Sequence, residues 1–187
     1  MTALDHLIRL CPPPVDPPPA VDWPEAEEAL GTALPADYKR LVETYGDGVF
    51  DGTIWLLVPD SAYDDCDLHA QAVERAEILA ELWDAGEERP AGLSEPGARI
   101  LPWAFEEGTG AFLYWLARPG QRPDAWTVLY NEGRGPLWEH HGTGCVAFLR
   151  AALTGTAESA YFGADDVPGP TGHRFDTADR LLGEPER

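Results

Sequence analysis

Residues 22–52, DWPEAEEALGTALPADYKRLVETYGDGVFDG, decide the fold, because capping and turn signals alone divide them into two short helices and the entry to a sheet. Asp22-Trp23-Pro24-Glu25 has the Asp-x-x-Glu order of a capping box, with proline in the first turn where its missing N–H leaves no bond unmade. Trp23, Ala26 and Leu30 recur at helical spacing, and Gly31 offers the left-handed residue that ends a helix. Pro35 opens a second helix that places Leu34, Tyr38, Leu41, Val42 and Tyr45 on one face before Gly46 stops it. Gly46, Gly48 and Gly52 then punctuate a turn into 53–58, TIWLLV, which is apolar on both faces and closed by Pro59. That run is too short and too rich in β-formers to be a helix, and reads as a buried strand.

Downstream, the period changes. Over 67–85, Leu68, Ala72, Ala76, Leu79 and Trp83 repeat every three or four residues, which predicts the longest helix. Beyond a Gly/Pro-rich loop, the aromatic-rich runs 100–105, 111–117, 125–130 and 136–141 are separated by turn chemistry and read as a meander of antiparallel strands. A final helix over 143–154 buries Val146, Phe148, Leu149, Ala152 and Leu153 and stops at Gly155. Helices first, strands next and a packing helix last imply a single α+β domain over 22–155. Residues 1–21, with Pro-Pro-Pro runs at 12–14 and 17–19, read as a stiff lead into it. The Gly-, Pro- and acid-rich extension 156–187 carries Tyr161, Phe162, Val167, Phe175, Leu181 and Leu182, enough to drape over the core.

Composition narrows the function. The 187 residues hold 33 Asp plus Glu against 13 Lys plus Arg, a formal net charge of −20. A protein that binds nucleic acid needs clustered cations to neutralise phosphates, so this balance argues against such a partner. It repels anionic lipid too, and no apolar run approaches the roughly 20 residues of a spanning helix. With 44% hydrophobic residues and seven Trp the chain should nonetheless fold. Cys11, Cys66 and Cys145 are scattered, form no C-x-x-C pair, and fit buried thiols in a reducing compartment. The first ten residues lack the basic start and apolar core of a secretion signal, so a cytoplasmic location is expected. Twelve Arg against the single Lys39 suggest a GC-rich genome, which would enrich acids without any functional meaning.

Catalytic signatures are absent. The three serines, Ser61, Ser94 and Ser159, lie in no G-x-S-x-G elbow, and no phosphate-binding Gly-rich sequence occurs. Residues 141–144, His-Gly-Thr-Gly, are more simply the turn into the last helix. Asp64, Asp65, Asp67 and His69 form the densest group of potential metal ligands, yet acids ahead of a helix cap its free N–H groups and complement its dipole without any metal. His140 and His141 should point to opposite faces of a strand. Glu106-Glu107 is an acid pair of the kind that 33 acids produce by chance. No enzyme, metal or cofactor is implied.

One bias is regional. Over 60–95, eleven acids face only Arg75 and Arg89, a balance of −9 that holds nearly half the net charge in about a fifth of the chain. Glu74, Glu77 and Glu81 recur at three- and four-residue spacing on the expected long helix, where like charges oppose helix formation. An ordinary solvated face and a docking surface for a basic partner both fit. As a docking surface it would comprise Asp60, Asp64, Asp65, Asp67, Glu74, Glu77, Glu81, Asp84 and Glu88.

The string Trp23-x3-Glu27-x2-Leu30-Gly31-x2-Leu34-Pro35-x-Asp37-Tyr38-x2-Leu41-x3-Tyr45-Gly46, followed by Gly48, Phe50 and Gly52, resembles the SUKH superfamily, which includes the yeast cell-wall-synthesis regulator domain and many bacterial immunity proteins. Ile100-Leu101-Pro102-Trp103, Gly110 and Phe148-Leu149 are similar to its later landmarks. The 39 residues 60–98 are longer than the family's usual link and read as an acidic, helix-containing insertion. The resemblance implies an α+β domain that binds protein and has no catalytic residues. The expected function is neutralisation of a cognate secreted toxin, a basic nuclease-like or deaminase-like protein, with exposed Trp or Tyr beside the acids as hot spots. The alternative is a regulatory or scaffold module of the same fold acting on an endogenous partner.

Overall fold

The computed structural model describes residues 1–133, 135–162 and 172–183. In chain order the helices are α1 (Ala3–Leu10), α2 (Trp23–Leu30), α3 (Ala36–Tyr45), α4 (Leu68–Asp84), α5 (Cys145–Leu153) and α6 (Ala178–Leu182). The strands are β1 (Gly48–Phe50), β2 (Ile54–Leu56), β3 (Arg99–Glu106), β4 (Phe112–Ala117), β5 (Thr127–Asn131), β6 (Trp138–His141) and β7 (Phe175–Thr177). They form one antiparallel sheet in the order β6-β5-β4-β3-β2-β1-β7. The fold is therefore α+β, with the expected helix pair, meander and late packing helix in place.

The helix pair forms for the reasons its sequence gives. The Asp22 carboxylate accepts the Glu25 N–H at 3.1 Å, and Gly31 closes α2 in the left-handed conformation. Helix α3 buries Tyr38, Leu41, Val42 and Tyr45. Tyr38 donates its hydroxyl to the Leu57 carbonyl, so α3 is tied to the chain leaving β2.

The sheet is covered on both faces, which explains why every residue of β4 is buried. On one face Trp115 meets Tyr38 of α3 edge-on at 4.8 Å, and Trp103 meets Phe148 of α5. On the other, alternate residues of β4 turn towards α4, where the Arg75 guanidinium lies 4.6 Å from the centre of the Phe112 ring.

Three stretches differ from expectation. The fold begins well ahead of Asp22. Thr2 and Asp5 form a reciprocal capping box, and α1 buries Leu4 and Leu7 in the main core. Cys11 is buried too, and its carbonyl accepts the Tyr45 hydroxyl at 2.6 Å. The second proline run passes against the end of α3, where a Cβ on Gly46 would stand 2.7 Å from that of Pro18.

Gly48 belongs to a strand, not a turn. A Cβ there would lie 2.3 Å from the Asp176 carbonyl, so only glycine lets β7 approach β1 this closely. Strand β7 is the third difference, since the tail adds a strand instead of merely draping. It is fixed by buried polar contacts. Asp51 takes the His173 ring at 2.7 Å and the Arg174 N–H at 2.9 Å, while Asp176 pairs with Arg174 and Arg180. Phe162 is buried and Phe175 packs on the core as expected, whereas Leu181 and Leu182 are exposed. Val167 lies outside the described residues.

Candidate functional site

Helix α4 owes its start to Asp67, whose carboxylate accepts the Ala70 N–H at 2.7 Å. Leu68, Gln71 and Leu79 are its buried residues, and they set its orientation against the sheet. At about 100° per residue, Glu74, Glu77, Glu81 and Asp84 then fall together on the opposite side, and all four are exposed. Asp60, Asp64 and Asp65 are exposed at the N-terminal end of this helix, on the Pro59–Asp60 turn and the short 3-10 turn Asp64–Cys66, and Glu88 is exposed beyond its C-terminal end. Asp60 holds a left-handed backbone, with φ 58°.

The nine acids thus do not converge on a pocket. A 17-residue helix is roughly 25 Å long, so they mark out a ridge, a geometry suited to a broad partner rather than to a metal ion or small substrate. Among the described residues only Glu74 of the nine has a cation within 4 Å, the Arg75 guanidinium at 3.0 Å. Asp67 is half-buried and engaged as the helix cap, so it is less available than its neighbours. Of the three Asp expected to cap α4, only Asp67 does so through its side chain.

Nothing in the helix itself calls for this arrangement. Glu74–Glu77, Glu77–Glu81 and Glu81–Asp84 are like-charge neighbours, each unfavourable by a few tenths of a kcal/mol. Glu81 and Asp84 also stand in the last turn, which has no basic residue to complement the negative end of the dipole.

No Trp is fully exposed beside the acids, and the half-buried Tyr63 that precedes Asp64 donates its hydroxyl to Asp179 at 2.9 Å. Among the seven Trp, Trp55, Trp103, Trp115 and Trp126 are buried, and Trp23, Trp83 and Trp138 are half-buried. Trp23 is occupied, donating to Glu43 at 2.8 Å under the Lys39 ammonium. Trp83 sits at the end of the acidic helix, but the Arg89 guanidinium lies 4.8 Å over its ring.

The other candidates are absorbed by the fold. Glu106 accepts the Tyr130 and Thr109 hydroxyls, and Glu107 accepts the Trp55 indole N–H. His140 contacts the Thr127 hydroxyl at 2.9 Å while His141 packs on Phe148, on opposite faces of β6. Burial lowers the pKa of His141 against the pull of Glu139, so the ring favours its neutral form. All three cysteines are free and buried. Burial pushes the thiols of Cys11 and Cys66 up to about 12 and holds Cys145 well above its ordinary value, which leaves no thiolate nucleophile at neutral pH. Among the described residues no helix is long and apolar enough to cross a membrane.

Sequence reading missed one feature. Between the inner side of α4, the 3-10 turn Ala91–Ser94 and strand β3 lies a cleft of about 230 Å³, lined among others by Arg75, Leu79, Trp83, Arg89, Arg99 and Tyr114. Arg75 is four residues before Leu79 and three after Ala72, which puts it on the apolar face of the helix. That spacing was the available signal.

The SUKH_5 family model, described as SMI1-KNR4 cell-wall, matches residues 3–84. The match starts at the first residue of α1 and ends at the last of α4. It therefore takes in the N-terminal segment ahead of Asp22 and the acid-striped helix as well as the α2–α3 pair. No curated protein and no solved structure matches the chain.

Proposed function

We propose, from the match of residues 3–84 to the SUKH_5 family model, that this is an immunity-type protein of the SUKH superfamily whose acidic ridge seals a basic secreted toxin. The observation that carries the reading is the exposed stripe Glu74, Glu77, Glu81 and Asp84, of which only Glu74 has a cation within 4 Å among the described residues. Such a stripe is unfavourable to the isolated helix, and an oppositely charged partner offsets that penalty. A nuclease-like or deaminase-like toxin presents a basic nucleic-acid groove, and the chain's net charge of −20 steers such a surface into encounter from beyond contact distance.

With no fully exposed Trp on the ridge, affinity rests on close charge pairs and on Val73, an apolar residue that α4 leaves in solvent beside the acids. Asp60, Asp64 and Asp65 extend the surface at one end and Glu88 at the other, while Asp67 contributes mainly by holding the helix. The partner is a protein, and the site of action is the cytoplasm of the producing cell.

Co-expression of the chain with the toxin encoded beside its gene should restore growth, and unchanged killing by that toxin would sink the proposal. The words cell-wall in the matched family's description favour a second reading, a non-catalytic regulatory or scaffold module with an endogenous partner. It is separated by deletion of the gene, which then gives a phenotype in cells that carry no toxin.

A further inference from the structure

The most acidic stretch of the chain places its only two cations at one cavity, Arg75 half-buried and Arg89 exposed. Arg75 and Arg89 both line the cleft beneath α4, and Arg99 from β3 joins them, so that three of the chain's 13 cations border one cavity. Among the described residues no acid lines it. The rest of the lining is apolar or aromatic, including Leu79, Trp83 and Tyr114. The pattern is the reverse of the outer side of the same helix.

Two lining side chains also carry shielded donors without an acceptor. Arg75 gives one terminal nitrogen to Glu74 at 3.0 Å, but among the described residues its Nε has no partner, and neither has Nε1 of Trp83. A shielded donor left unpaired is unfavourable, so a ligand that brings an acceptor gains more here than in water. Arg89 and Arg99 have no carboxylate within 4 Å among the described residues.

Size and field select the ligand. At about 230 Å³ the cavity is below the roughly 300–1,000 Å³ of drug-sized sites, which limits the occupant to about ten or twelve non-hydrogen atoms. A polyanion such as a nucleotide would be repelled by the net charge of −20 before reaching the arginines. A single carboxylate meets far less repulsion and matches the guanidinium fork, while an aromatic body suits Leu79, Trp83 and Tyr114. We propose that the cleft between α4 and β3 binds a small aromatic monocarboxylate, with Arg89 and Arg99 holding the carboxylate and the Leu79–Trp83 wall holding the ring. This site is independent of the acidic ridge and of any toxin.

The test is titration of the full chain with phenylacetate and 4-hydroxyphenylacetate, followed by calorimetry and by NMR shifts of the arginine and indole N–H groups. A ligand of this size should bind one to one with a Kd of about 0.1–1 mM. Phenylacetamide, which keeps the ring and loses the charge, should bind about tenfold more weakly or worse. Arg89→Gln and Arg99→Gln, both at exposed positions, should each weaken phenylacetate about tenfold and lower the melting temperature by no more than about 2–4 °C, the cost of losing the Arg89–Trp83 contact in the first. No saturation by about 10 mM, equal binding of the amide, shifts confined to residues outside the cleft, or unaltered affinity in both variants would each overturn the assignment.

Discussion

Glu81→Lys should stabilise the protein, although it alters nothing in the core. The residue is exposed in the last turn of α4, four residues after Glu77 and three before Asp84, and that turn has no cation. Substitution converts two repulsive neighbours into attractive ones, a swing of about 0.4–1 kcal/mol for each pair. It also places a positive charge at the negative end of the helix dipole, which contributes about 0.3–1 kcal/mol. Discounted for full solvent exposure, the sum is about 1 kcal/mol, and a chain of this size should then melt about 2–4 °C higher. Thermal unfolding at low ionic strength measures it. In 1 M salt, where the screening length falls to about 3 Å, the gain should largely vanish. A melting temperature that is unchanged or lower in dilute buffer, or a gain equal in both salts, would refute the claim that the acidic stripe is retained against the helix's own preference.

Other consequences are equally accessible. Leu7→Ala removes a fully buried side chain that packs α1 into the main core, and should lower unfolding free energy by about 2–5 kcal/mol in denaturant titration; an effect below half a kcal/mol would return residues 1–21 to the status of a lead. Gly48→Ala forces a Cβ against the Asp176 carbonyl, so it should detach β7 and speed amide exchange at 175–177, with exchange unchanged in β4 and β5. Cys11 and Cys66 have folded pKa values raised to about 12 from 9.0, so the folded state keeps protons that the unfolded state loses. Their contribution to stability is complete below pH 9 and is lost as pH rises from 9 towards 12, which melting curves across that window would show. Thiol reagents at pH 8 should label the native protein no faster than global opening permits.

Much of this architecture was legible in local signals. Asp22, Gly31, Pro35 and Gly46 mark the ends of α2 and α3 because caps and breakers act through the backbone within a few residues. The four strands 99–141 announced themselves by aromatic runs between turns. What escaped depends on distant partners. Gly48 looks like turn punctuation until β7 arrives beside it from more than 120 residues away, and the buried Asp51–His173 contact that fixes β7 has no local signature. Helix α1 was hidden by its brevity: eight residues with two buried leucines are marginal alone and are helical because α5 and α3 receive them. On the surface, the period of Glu74, Glu77 and Glu81 predicted one shared face, and the structure has it exposed, with Asp84 added to it. The cleft beneath was not legible, since it is made by β3 and the 91–94 turn closing over the arginines of the opposite face.

The central claim is that the ridge on α4 docks a basic toxin. It is tested most directly by the association rate of the chain with its toxin as a function of salt, compared with the Glu74→Lys, Glu77→Lys, Glu81→Lys triple variant. The account predicts a fast rate that falls steeply with ionic strength, and a variant at least about tenfold slower in dilute buffer whose rate converges with the parent at high salt. Equal rates for the two proteins at low salt would contradict it.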